Sequence, residues 1–566
     1  MGVSIQLGLH NGIEAGAALL VGDELVGAAS EERFTREKMA SGPPMHAISY
    51  LLAQAGISWK DVDEVVYPLF SDVGPPSDVV PELMRRVCDG VAKQPSLAGK
   101  YVERVESELR LYEQQLSELV LFLAEVGLKD RLKMVDHHLS HACAGFFTSG
   151  YPEAICLTAD GKGSYKSSAT WDCTTSEVKL RDCRSTFDSL GYLYGTVTQA
   201  LGLQAHRHEG KVTGLAAFGK ECGFRKLLGD MVSLSAGRPR CELGPYYLPW
   251  FCGERDLPDL YAEICQWAPE DVAHDLQAAI EEIICGWVQT CFNEVGSDCG
   301  NLVLSGGLFA NVKLNQRIQE LECVRGVFVC PFMGDGGLPL GGLLANRLLS
   351  GSPLRLDLHD LGLGPVFEDH ELTSCASKLG LNFRHTSNVI GETIDLIQAG
   401  LVVGLFRGRM EYGPRALGKR SILYHGRDSR VNDWLNRRLS RTEYMPFAPV
   451  IASELASQSL VGWNESHYSS RFMTMTYGCT PEFIKSCPAC VHVDGSARPQ
   501  VVFEDVDPFL HALLMQFHQK TGDLALINTS FNNHEEPIVC SPDDALAALM
   551  RGNVDAIVSE TRVVIR

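Results

Sequence analysis

Short apolar runs bounded by turn residues dominate the first part of the chain. They predict strands over residues 3–9, 15–21, 25–29 and 62–68. Gly22-Asp23-Glu24, between the second and third runs, is typical of a hairpin turn. Two strands joined by a small polar turn can hold a nucleotide phosphate between backbone amides, although many hairpins bind nothing. His10 lies at the tip of the first turn, where it can reach a ligand.

Longer periodic segments follow these strands. The patterns predict helices over 45–55, 101–126, 271–288, 371–379, 390–399 and 431–439. Further buried strands are predicted over 154–161, 301–305, 401–406 and 524–527. Residues 71–100 are Pro-rich and predict a loop, and residues 351–365 predict a linker.

Length and charge limit the classes of protein that fit. A chain of 566 residues predicts two to four domains. Its formal net charge of -20 argues against a nucleic-acid or anionic-membrane surface, and is compatible with a cationic or neutral small substrate. No apolar run reaches the length of a membrane span, and the start lacks the pattern of a signal peptide. The 19 scattered cysteines are expected to be reduced, which predicts a cytoplasmic protein.

Three histidines within five residues give the strongest chemical signal, in the run His137-His138-Leu139-Ser140-His141. His137 and His141 are four residues apart, so on a helix their imidazoles lie on one face. Neutral imidazole is the commonest metal ligand in proteins, and the pair can therefore chelate a divalent metal. A single histidine at a helix start more often caps or packs, and that structural role is expected for His138.

Two aspartates can complete such a site. Asp160 ends a predicted buried strand and precedes Gly161, a position suited to a metal or metal-phosphate contact. Taken alone, this aspartate would more often cap a turn. Asp335, in Gly334-Asp335-Gly336-Gly337, is the candidate fourth ligand.

Glycine-rich segments indicate a nucleotide site. Gly306 and Gly307 follow a strand and let a nucleotide approach the backbone, and Asn311 lies near the start of a predicted helix, whose N-terminus favours anions. Lys211 lies in the Gly-punctuated segment 209–219, which is either a site of close helix packing or a cationic loop beside phosphates.

Positive charge is concentrated in the segment Gly408–Ser421. It interleaves glycines with Arg409, Arg415, Lys419 and Arg420. This pattern favours a local anion site over a set of surface salt bridges. The charged run at residues 30–36 is equally compatible with a solvated face and with the rim of a substrate site.

Taken together, these motifs resemble those of the O-carbamoyltransferases of antibiotic, nodulation-factor and related natural-product pathways. The resemblance covers nearly the whole chain. Its motifs are, in chain order, His137 to Ala142, residues 210–219, Ser305 to Asn311, Gly408 to Ser421, Pro446-Phe447-Ala448-Pro449 and Asn528 to Asn532. Several motifs in the same order are far more specific than any one of them.

The resemblance implies an α/β protein of two domains. Residues 1–350 would form an actin-like ATPase domain, built from a ribonuclease H-like repeat and similar to the universal tRNA threonylcarbamoyl-transfer protein. After the linker at 351–365, residues 366–566 would form an α/β domain similar to threonylcarbamoyl-AMP synthase.

The implied activity is ATP-dependent O-carbamoyl transfer. The second domain would make carbamoyl-adenylate from carbamoyl phosphate and ATP, the latter with Mg²⁺. In the first domain, a hydroxyl of a small-molecule natural product would attack the carbamoyl carbon and AMP would leave.

The resemblance also implies roles for individual residues. His10 matches the family's candidate general base, and an unperturbed imidazole titrates near neutral pH. The implied metal is iron(II) or another divalent ion, and its ligands would be His137, His141, Asp160 and Asp335. The nucleotide in the first domain would be held by Lys211, Gly306, Gly307 and Asn311. Carbamoyl phosphate and ATP would be held by Arg415, Arg441, Arg498, Asn528 and Ser530, of which Arg415 and Arg498 are also expected to be catalytic.

The chain departs from the family pattern at two places. A family lysine that precedes the Pro446–Pro449 stretch is missing, and Arg441 is the candidate substitute. His10 is followed by Asn11 where the family often has aspartate, so a carboxylate partner for His10 must come from elsewhere.

A rival function from the same fold class is N-carbamoylation or threonylcarbamoyl-type transfer to a nucleic acid, and the acidic charge disfavours a tRNA partner. A rival of a different class is a non-catalytic actin-like nucleotide-binding scaffold, which the histidine, aspartate and arginine sets disfavour. The expected partner is therefore a small hydroxyl-bearing acceptor, with no nucleic acid and no membrane, and a homodimer stays open. Residues 70–130 and 185–208, including His206 and His208, are expected to recognise the acceptor.

Overall fold

The computed structural model describes residues 3–70, 79–250, 252–295 and 300–566. It divides into two compact units. The first contains Met1–Leu25, Ser41–Pro44 and Leu52–Asp357, and the second contains Val26–Ala40, Met45–Leu51 and Leu358–Arg566. Two short pieces near the N-terminus thus group with the C-terminal part of the chain.

The described residues before Asp357 contain twelve strands. They are β1 (Ile5–His10), β2 (Gly16–Val21), β3 (Glu24–Ser30), β4 (Glu64–Leu69), β5 (Leu132–Asp136), β6 (Glu153–Gly163), β7 (Lys166–Thr174), β8 (Val178–Ser185), β9 (Val232–Ser235), β10 (Arg238–Cys241), β11 (Asn301–Ser305) and β12 (Gly326–Val329). The helices of this part are α1 (Glu32–Thr35), α2 (Met45–Ala55), α3 (Val80–Lys93), α4 (Ala98–Glu125), α5 (His137–Phe146), α6 (Leu190–Ala200), α7 (Glu209–Leu215), α8 (Phe224–Met231), α9 (Pro258–Ile264), α10 (Pro269–Val295), α11 (Val312–Gln319) and α12 (Leu338–Leu349).

The same sheet topology occurs twice in these strands. One sheet has the order β3-β2-β1-β4-β5 and the other the order β8-β7-β6-β11-β12. In each sheet the central strand pairs antiparallel with the strand that follows it and parallel with the strand on its other side. This duplicated order is the ribonuclease H-like repeat of actin-like ATPases, and the predicted fold of this part is confirmed.

The topology also gathers the polar residues singled out above. His10 ends β1, α5 begins directly after β5, Asp160 lies near the end of β6, and Asp335 precedes α12. Helix α12 packs against both α5 and β1. The carboxyl ends of parallel strands are where α/β sheets usually place their ligands.

The second unit is built on a mixed sheet of eight strands, which confirms its predicted α/β class. Its strands are β13 (Asn382–His385), β14 (Val403–Phe406), β15 (Arg420–His425), β16 (Ala448–Ala452), β17 (Tyr477–Gly478), β18 (Ser496–Ala497), β19 (Gln500–Val502), β20 (Leu526–Ser530), β21 (Ala556–Val558) and β22 (Arg562–Ile565). The order in the large sheet is β13-β22-β21-β14-β15-β20-β16-β19. Its helices are α13 (Asp369–Lys378), α14 (Val389–Gln398), α15 (Val431–Arg438), α16 (Ser453–Ser459), α17 (Pro481–Ser486), α18 (Pro508–Thr521) and α19 (Pro542–Arg551).

The predicted loop over residues 71–100 is wrong for the part that the structure describes. Helix α3 occupies Val80–Lys93, and α4 begins at Ala98. Pro81 lies in the first turn of α3, where a proline has no hydrogen bond to lose, so it starts the helix instead of breaking it. Residues 71–78 lie outside the described part of the chain.

None of the helices within the described ranges combines the length and the apolar character needed to cross a bilayer.

Candidate active site

The histidine run forms the first turn of helix α5, as its spacing predicts. Asp136 caps this helix, because its Oδ1 accepts the backbone N–H of Leu139 at 2.8 Å. The other carboxylate oxygen of Asp136 lies 3.0 Å from the Lys166 ammonium. The cap therefore fixes where the helix starts and which way His137 and His141 point.

The structure brings the four predicted metal ligands together. His141 Nε2 lies 3.3 Å from Asp160 Oδ2 and 3.4 Å from Asp335 Oδ1. His137 Nε2 lies 3.7 Å and 3.6 Å from the same two oxygens. One donor atom from each residue thus lies within 4.8 Å of the others.

These four residues fit a divalent metal. His137 Nε2, His141 Nε2, Asp160 Oδ2 and Asp335 Oδ1 are all buried, and none has a hydrogen-bond partner among the described residues. Buried polar atoms normally find partners, so four that converge without one suit a shared ion. Two imidazoles and two carboxylates are a donor set that a first-row divalent metal accepts.

The two carboxylates of the cluster favour the binding of positive charge. Burial alone would raise the pKa of Asp160, but the adjacent imidazoles of His137 and His141 hold it well below its usual range. Burial alone would lower the pKa of His141, but Asp160 and Asp335 raise it to about 9. The two carboxylates therefore create a strong local preference for positive charge.

His10 lies beside this cluster. Its Nε2 is 3.8 Å from Asp335 Oδ2, whereas the two histidine ligands pair with Asp335 Oδ1. Both ring nitrogens of His10 are buried and without a hydrogen-bond partner in the described part of the chain. Burial lowers the pKa of His10, and Asp335 partly offsets this. Burial therefore favours the neutral imidazole of His10 next to the four-donor cluster.

His138 has the structural position expected of it. The side chain is fully buried, and its Nδ1 lies 3.0 Å from the hydroxyl of Thr158 on β6. The same hydroxyl accepts the indole N–H of Trp171 at 3.2 Å. His138 therefore fastens α5 to the second sheet.

The predicted nucleotide residues lie at the end of β11 and on nearby helices. Gly306 adopts a φ of 102°, and a Cβ there would lie 2.2 Å from the carbonyl oxygen of Ala159, so only glycine fits. A Cβ on Gly307 would lie 3.0 Å from Asp160 Oδ1, so the glycine pair passes directly beside a predicted metal ligand.

Asn311 and Lys211 occupy different settings. Asn311 caps α11 through its Oδ1, which accepts the Leu314 N–H at 3.0 Å, and its amide donates to Gln277 Oε1 at 2.8 Å. Lys211 is buried in the short helix α7, which supports the packing alternative and leaves its contact with phosphates a prediction. The nucleotide roles of these residues stay predictions.

The segments expected to recognise the acceptor include α4. Asn11, next to His10, donates from its side chain to the Gln115 carbonyl at 3.0 Å and accepts the Tyr67 hydroxyl at 2.6 Å. Helix α4 therefore passes close to the candidate base. His206 shows a φ of 68° and donates its backbone N–H to Glu209 at 2.6 Å. Acceptor recognition by these segments stays a prediction.

In the second unit, the cations of Gly408–Ser421 separate into two kinds. Arg409 donates to the Leu363 carbonyl at 2.6 Å, Arg420 donates to the Arg407 carbonyl at 2.7 Å, and Lys419 pairs with Asp507 at 3.0 Å. These three side chains are held by other groups of the protein, and the anion site predicted for this segment stays a prediction that rests on Arg415. A sequence pattern does not reveal which cations form hydrogen bonds or ion pairs within the protein.

Arg415 differs from these three cations. Its Nε and the Nε of Arg498 lie buried, and neither has a hydrogen-bond partner among the residues described. Burial and the nearby Arg498 lower the pKa of Arg415 to about 9, and Glu443 is the carboxylate that counters this. Two mutually repelling guanidiniums with one acidic neighbour suit a highly charged anion.

Arg441, Asn528 and Ser530 form a connected group around the end of β20. Arg441 donates to the Ser530 carbonyl at 2.8 Å and to Ser530 Oγ at 3.0 Å. Asn528 donates to the Ala416 carbonyl at 3.2 Å, next to Arg415. Arg441 therefore orders the Ser530 strand end, and whether it also replaces the family lysine stays a prediction.

Sequence reasoning missed two carboxylates that shape these sites. Glu14 accepts the backbone N–H of Gly336 at 3.0 Å, directly after Asp335. Glu411 accepts the N–H groups of Leu417 and Lys419, each at 2.7 Å, and so shapes the loop of Arg415. No spacing in the sequence signals either contact, because Glu14 meets Gly336 from a distant part of the chain and Glu411 reaches across a loop whose shape only the fold defines.

Comparison with known proteins identifies the family. The model of the carbamoyltransferase N-terminus matches residues 3–344, and the model of the carbamoyltransferase C-terminus matches residues 394–566. The chain therefore belongs to the carbamoyltransferase family, and it is a transferase.

Relatives match over nearly the full length. The uncharacterized protein sll1178 of Synechocystis sp. is 29% identical, over 97% of this chain and 94% of its own. The nodulation protein NolNO of Sinorhizobium fredii is 29% identical, over 96% of this chain and 78% of its own. Among solved structures, HypF of T. kodakarensis is 11% identical with a TM-score of 0.33, over 62% of this chain and 48% of its own.

Proposed function

We propose that this carbamoyltransferase works in two steps through a carbamoyl-adenylate. The second unit activates carbamoyl phosphate with ATP, and the first unit passes the carbamoyl group to a hydroxyl of a small molecule. The observation that carries the proposal is the pair Arg415 and Arg498, two guanidiniums whose buried Nε atoms lack a partner in the described residues of a chain from this family.

The activation step balances with one water. Water releases phosphate from carbamoyl phosphate and leaves carbamate. A carbamate oxygen then attacks the α-phosphorus of ATP, and pyrophosphate leaves. Both phosphorus centres carry negative charge that must be neutralised as bonds break, and fixed guanidiniums do so without reorganisation. Arg415 and Arg498 are proposed to supply this charge, with Mg²⁺ accompanying ATP.

The transfer step is proposed to use His10 as general base. Its imidazole takes the proton of the acceptor hydroxyl, the hydroxyl oxygen attacks the carbamoyl carbon, and the bond to the AMP oxygen breaks. Asp335, 3.8 Å from His10 Nε2, stabilises the imidazolium that results. His137, His141, Asp160 and Asp335 would hold a divalent metal such as iron(II), which when bound supplies positive charge beside the phosphate of the adenylate.

The acceptor is proposed to be a small hydroxyl compound of a natural-product pathway. The net charge of -20 disfavours transfer to a nucleic acid. A non-catalytic scaffold would not need buried guanidiniums without partners. One relative that matches 96% of this chain is named a nodulation protein.

Pyrophosphate release tests the proposal. The metal-loaded full chain is incubated with ATP and Mg²⁺, with and without carbamoyl phosphate. Release of pyrophosphate that depends on carbamoyl phosphate is expected. Release of ADP instead, or of no pyrophosphate, would rule out adenylate formation. Transfer of the carbamoyl group to added tRNA would favour the nucleic-acid alternative.

A further inference from the structure

The charged run near the N-terminus has a role that neither sequence interpretation anticipated. Residues 30–36 were compatible with a solvated face or a substrate rim, but Arg33 is buried and belongs to the second unit. We propose that Arg33 and Arg36 are positioning residues for Arg415. They hold the loop that presents its guanidinium to carbamoyl phosphate and ATP.

Arg33 fixes one end of this loop. Its Nη2 donates to the Gly413 carbonyl at 3.0 Å, two residues before Arg415. Its Nη1 lies 3.1 Å from Glu32 Oε1, so the guanidinium is itself oriented by a neighbouring carboxylate. A buried, charge-assisted hydrogen bond of this kind restrains the backbone more firmly than a neutral one.

The other end of the loop is fixed independently. Glu411 Oε1 accepts the Leu417 N–H at 2.7 Å, and Asn528 donates to the Ala416 carbonyl at 3.2 Å. The backbone of residues 413–417 is thus held on both sides of Arg415. The Arg415 Nε between these fixed points is buried and has no hydrogen-bond partner within the described residues, which leaves it open to a ligand.

Arg36 and Phe34 contact the segment that packs against the Arg415 loop. Arg36 donates to the carbonyls of Pro537 and Ile538, each at 2.7 Å, and its Nε lies 3.3 Å from Asp544. Ile538 packs in a small apolar cluster with Ala416, and Phe34 packs against that cluster. Residues 33–36 therefore contact both the Arg415 loop and the segment around Ile538 that packs against it.

Through these contacts, residues 30–36 position Arg415 for the activation of carbamoyl phosphate, an inference that rests on the proposed function. The rate of activation depends on where the Arg415 guanidinium lies, because a misplacement of a reacting or positioning group by about 1 Å can lower the rate roughly a hundredfold. Loss of the Arg33 contact should therefore weaken the use of carbamoyl phosphate through Arg415, without removing a group that itself touches the substrate.

The test measures pyrophosphate release by the full chain as a function of carbamoyl phosphate concentration. The variants are Arg33→Met, Arg33→Lys and Arg36→Met, and the control is Arg430→Met. Arg430 is exposed, belongs to the same unit and pairs with Asp428. We expect Arg33→Met to lower kcat/KM for carbamoyl phosphate by about tenfold or more, Arg33→Lys to recover part of it, and the control to match the wild type.

A second background separates positioning from general stability. In Arg415→Lys, adding Arg33→Met should lower kcat/KM by less than about twofold, because the group being positioned is already changed. A full additional loss in that background, or an Arg33→Met variant that matches Arg430→Met, would overturn the inference. If Arg33→Met does not fold, Arg36→Met decides by the same criteria. A wild type that releases no pyrophosphate would instead refute the proposed function.

Discussion

Asp335 joins the candidate general base to the candidate metal cluster. Its Oδ2 lies 3.8 Å from His10 Nε2, and its Oδ1 lies 3.4 Å from His141 Nε2. His10 is followed by Asn11, so the carboxylate that the family often places next in the sequence is missing. The structure supplies one from a loop more than three hundred residues further along the chain.

The proposed base predicts a separation of the two steps. His10→Gln should keep pyrophosphate release within about twofold of the wild type. It should slow carbamoyl transfer by roughly 10²–10⁴-fold, the usual contribution of a general base. Transfer is followed by mass spectrometry of small hydroxyl compounds that the wild type carbamoylates. His274→Gln, a more exposed histidine of the same unit, is the control. Loss of both steps in His10→Gln would contradict the two-site account.

The proposed metal predicts a coupling between metal content and stability. His141→Ala and Asp160→Asn should bind less metal, as measured by elemental analysis of the purified chain. Fe²⁺ should raise the melting temperature of the wild type and not of these variants. A ligand at a hundred times its Kd stabilises the folded state by about 2.7 kcal/mol. Equal metal content in wild type and variants would count against these ligands, and His274→Ala serves as the control.

A pair of glycines on β6 offers a matched test of the same site. A Cβ on Gly163 would lie 2.0 Å from His137 Cδ2, whereas a Cβ on Gly161 meets no atom within 4 Å. Gly163→Ala should therefore displace the His137 ring and lower metal affinity by roughly tenfold or more, in line with changes to residues that orient metal ligands. Gly161→Ala should bind metal like the wild type. Titration of the apo chain with Fe²⁺ or Zn²⁺ measures both, and equal affinities would show that the His137 position does not matter.

The proposed roles of Arg415 and Arg498 predict that their replacement lowers the rate of the activation step alone. Arg415→Ala and Arg498→Ala should each lower carbamoyl-phosphate-dependent pyrophosphate release by about 10²–10³-fold, as for removal of a group that stabilises charge in a transition state. Metal content should be unchanged. Arg430→Ala is the control, since its side chain is exposed and already paired with Asp428. Variants that release pyrophosphate at the wild-type rate would remove the arginine pair from the mechanism.

The sequence predicts the metal cluster better than the anion site, for a physical reason. His137 and His141 share one helix turn, and Asp160 and Asp335 follow from strand-end and glycine-rich positions, so local rules are enough to propose the set. In Gly408–Ser421, local rules identify four cations but not their partners. Arg420 donates to the Arg407 carbonyl, and Arg409 and Lys419 contact Leu363 and Asp507, which lie much further away in the chain.

Much of the fold follows from pattern, and the rest depends on long-range packing. Most predicted strands and helices lie within a few residues of the observed ones. The grouping of Arg33 and Arg36 with the C-terminal part could not be predicted, because a run of alternating charges looks the same on a solvated surface and in a buried brace. The contacts of Glu14 and Glu411 could not be predicted either, because no sequence spacing signals them.

The central claim, activation as an adenylate separate from transfer, is tested most directly by exchange of labelled pyrophosphate into ATP. The full chain is incubated with ATP, Mg²⁺, carbamoyl phosphate and radioactive pyrophosphate. The account predicts exchange that requires carbamoyl phosphate, persists in His10→Gln and disappears in Arg415→Ala. Absence of exchange in the wild type, or its loss in His10→Gln, would contradict it.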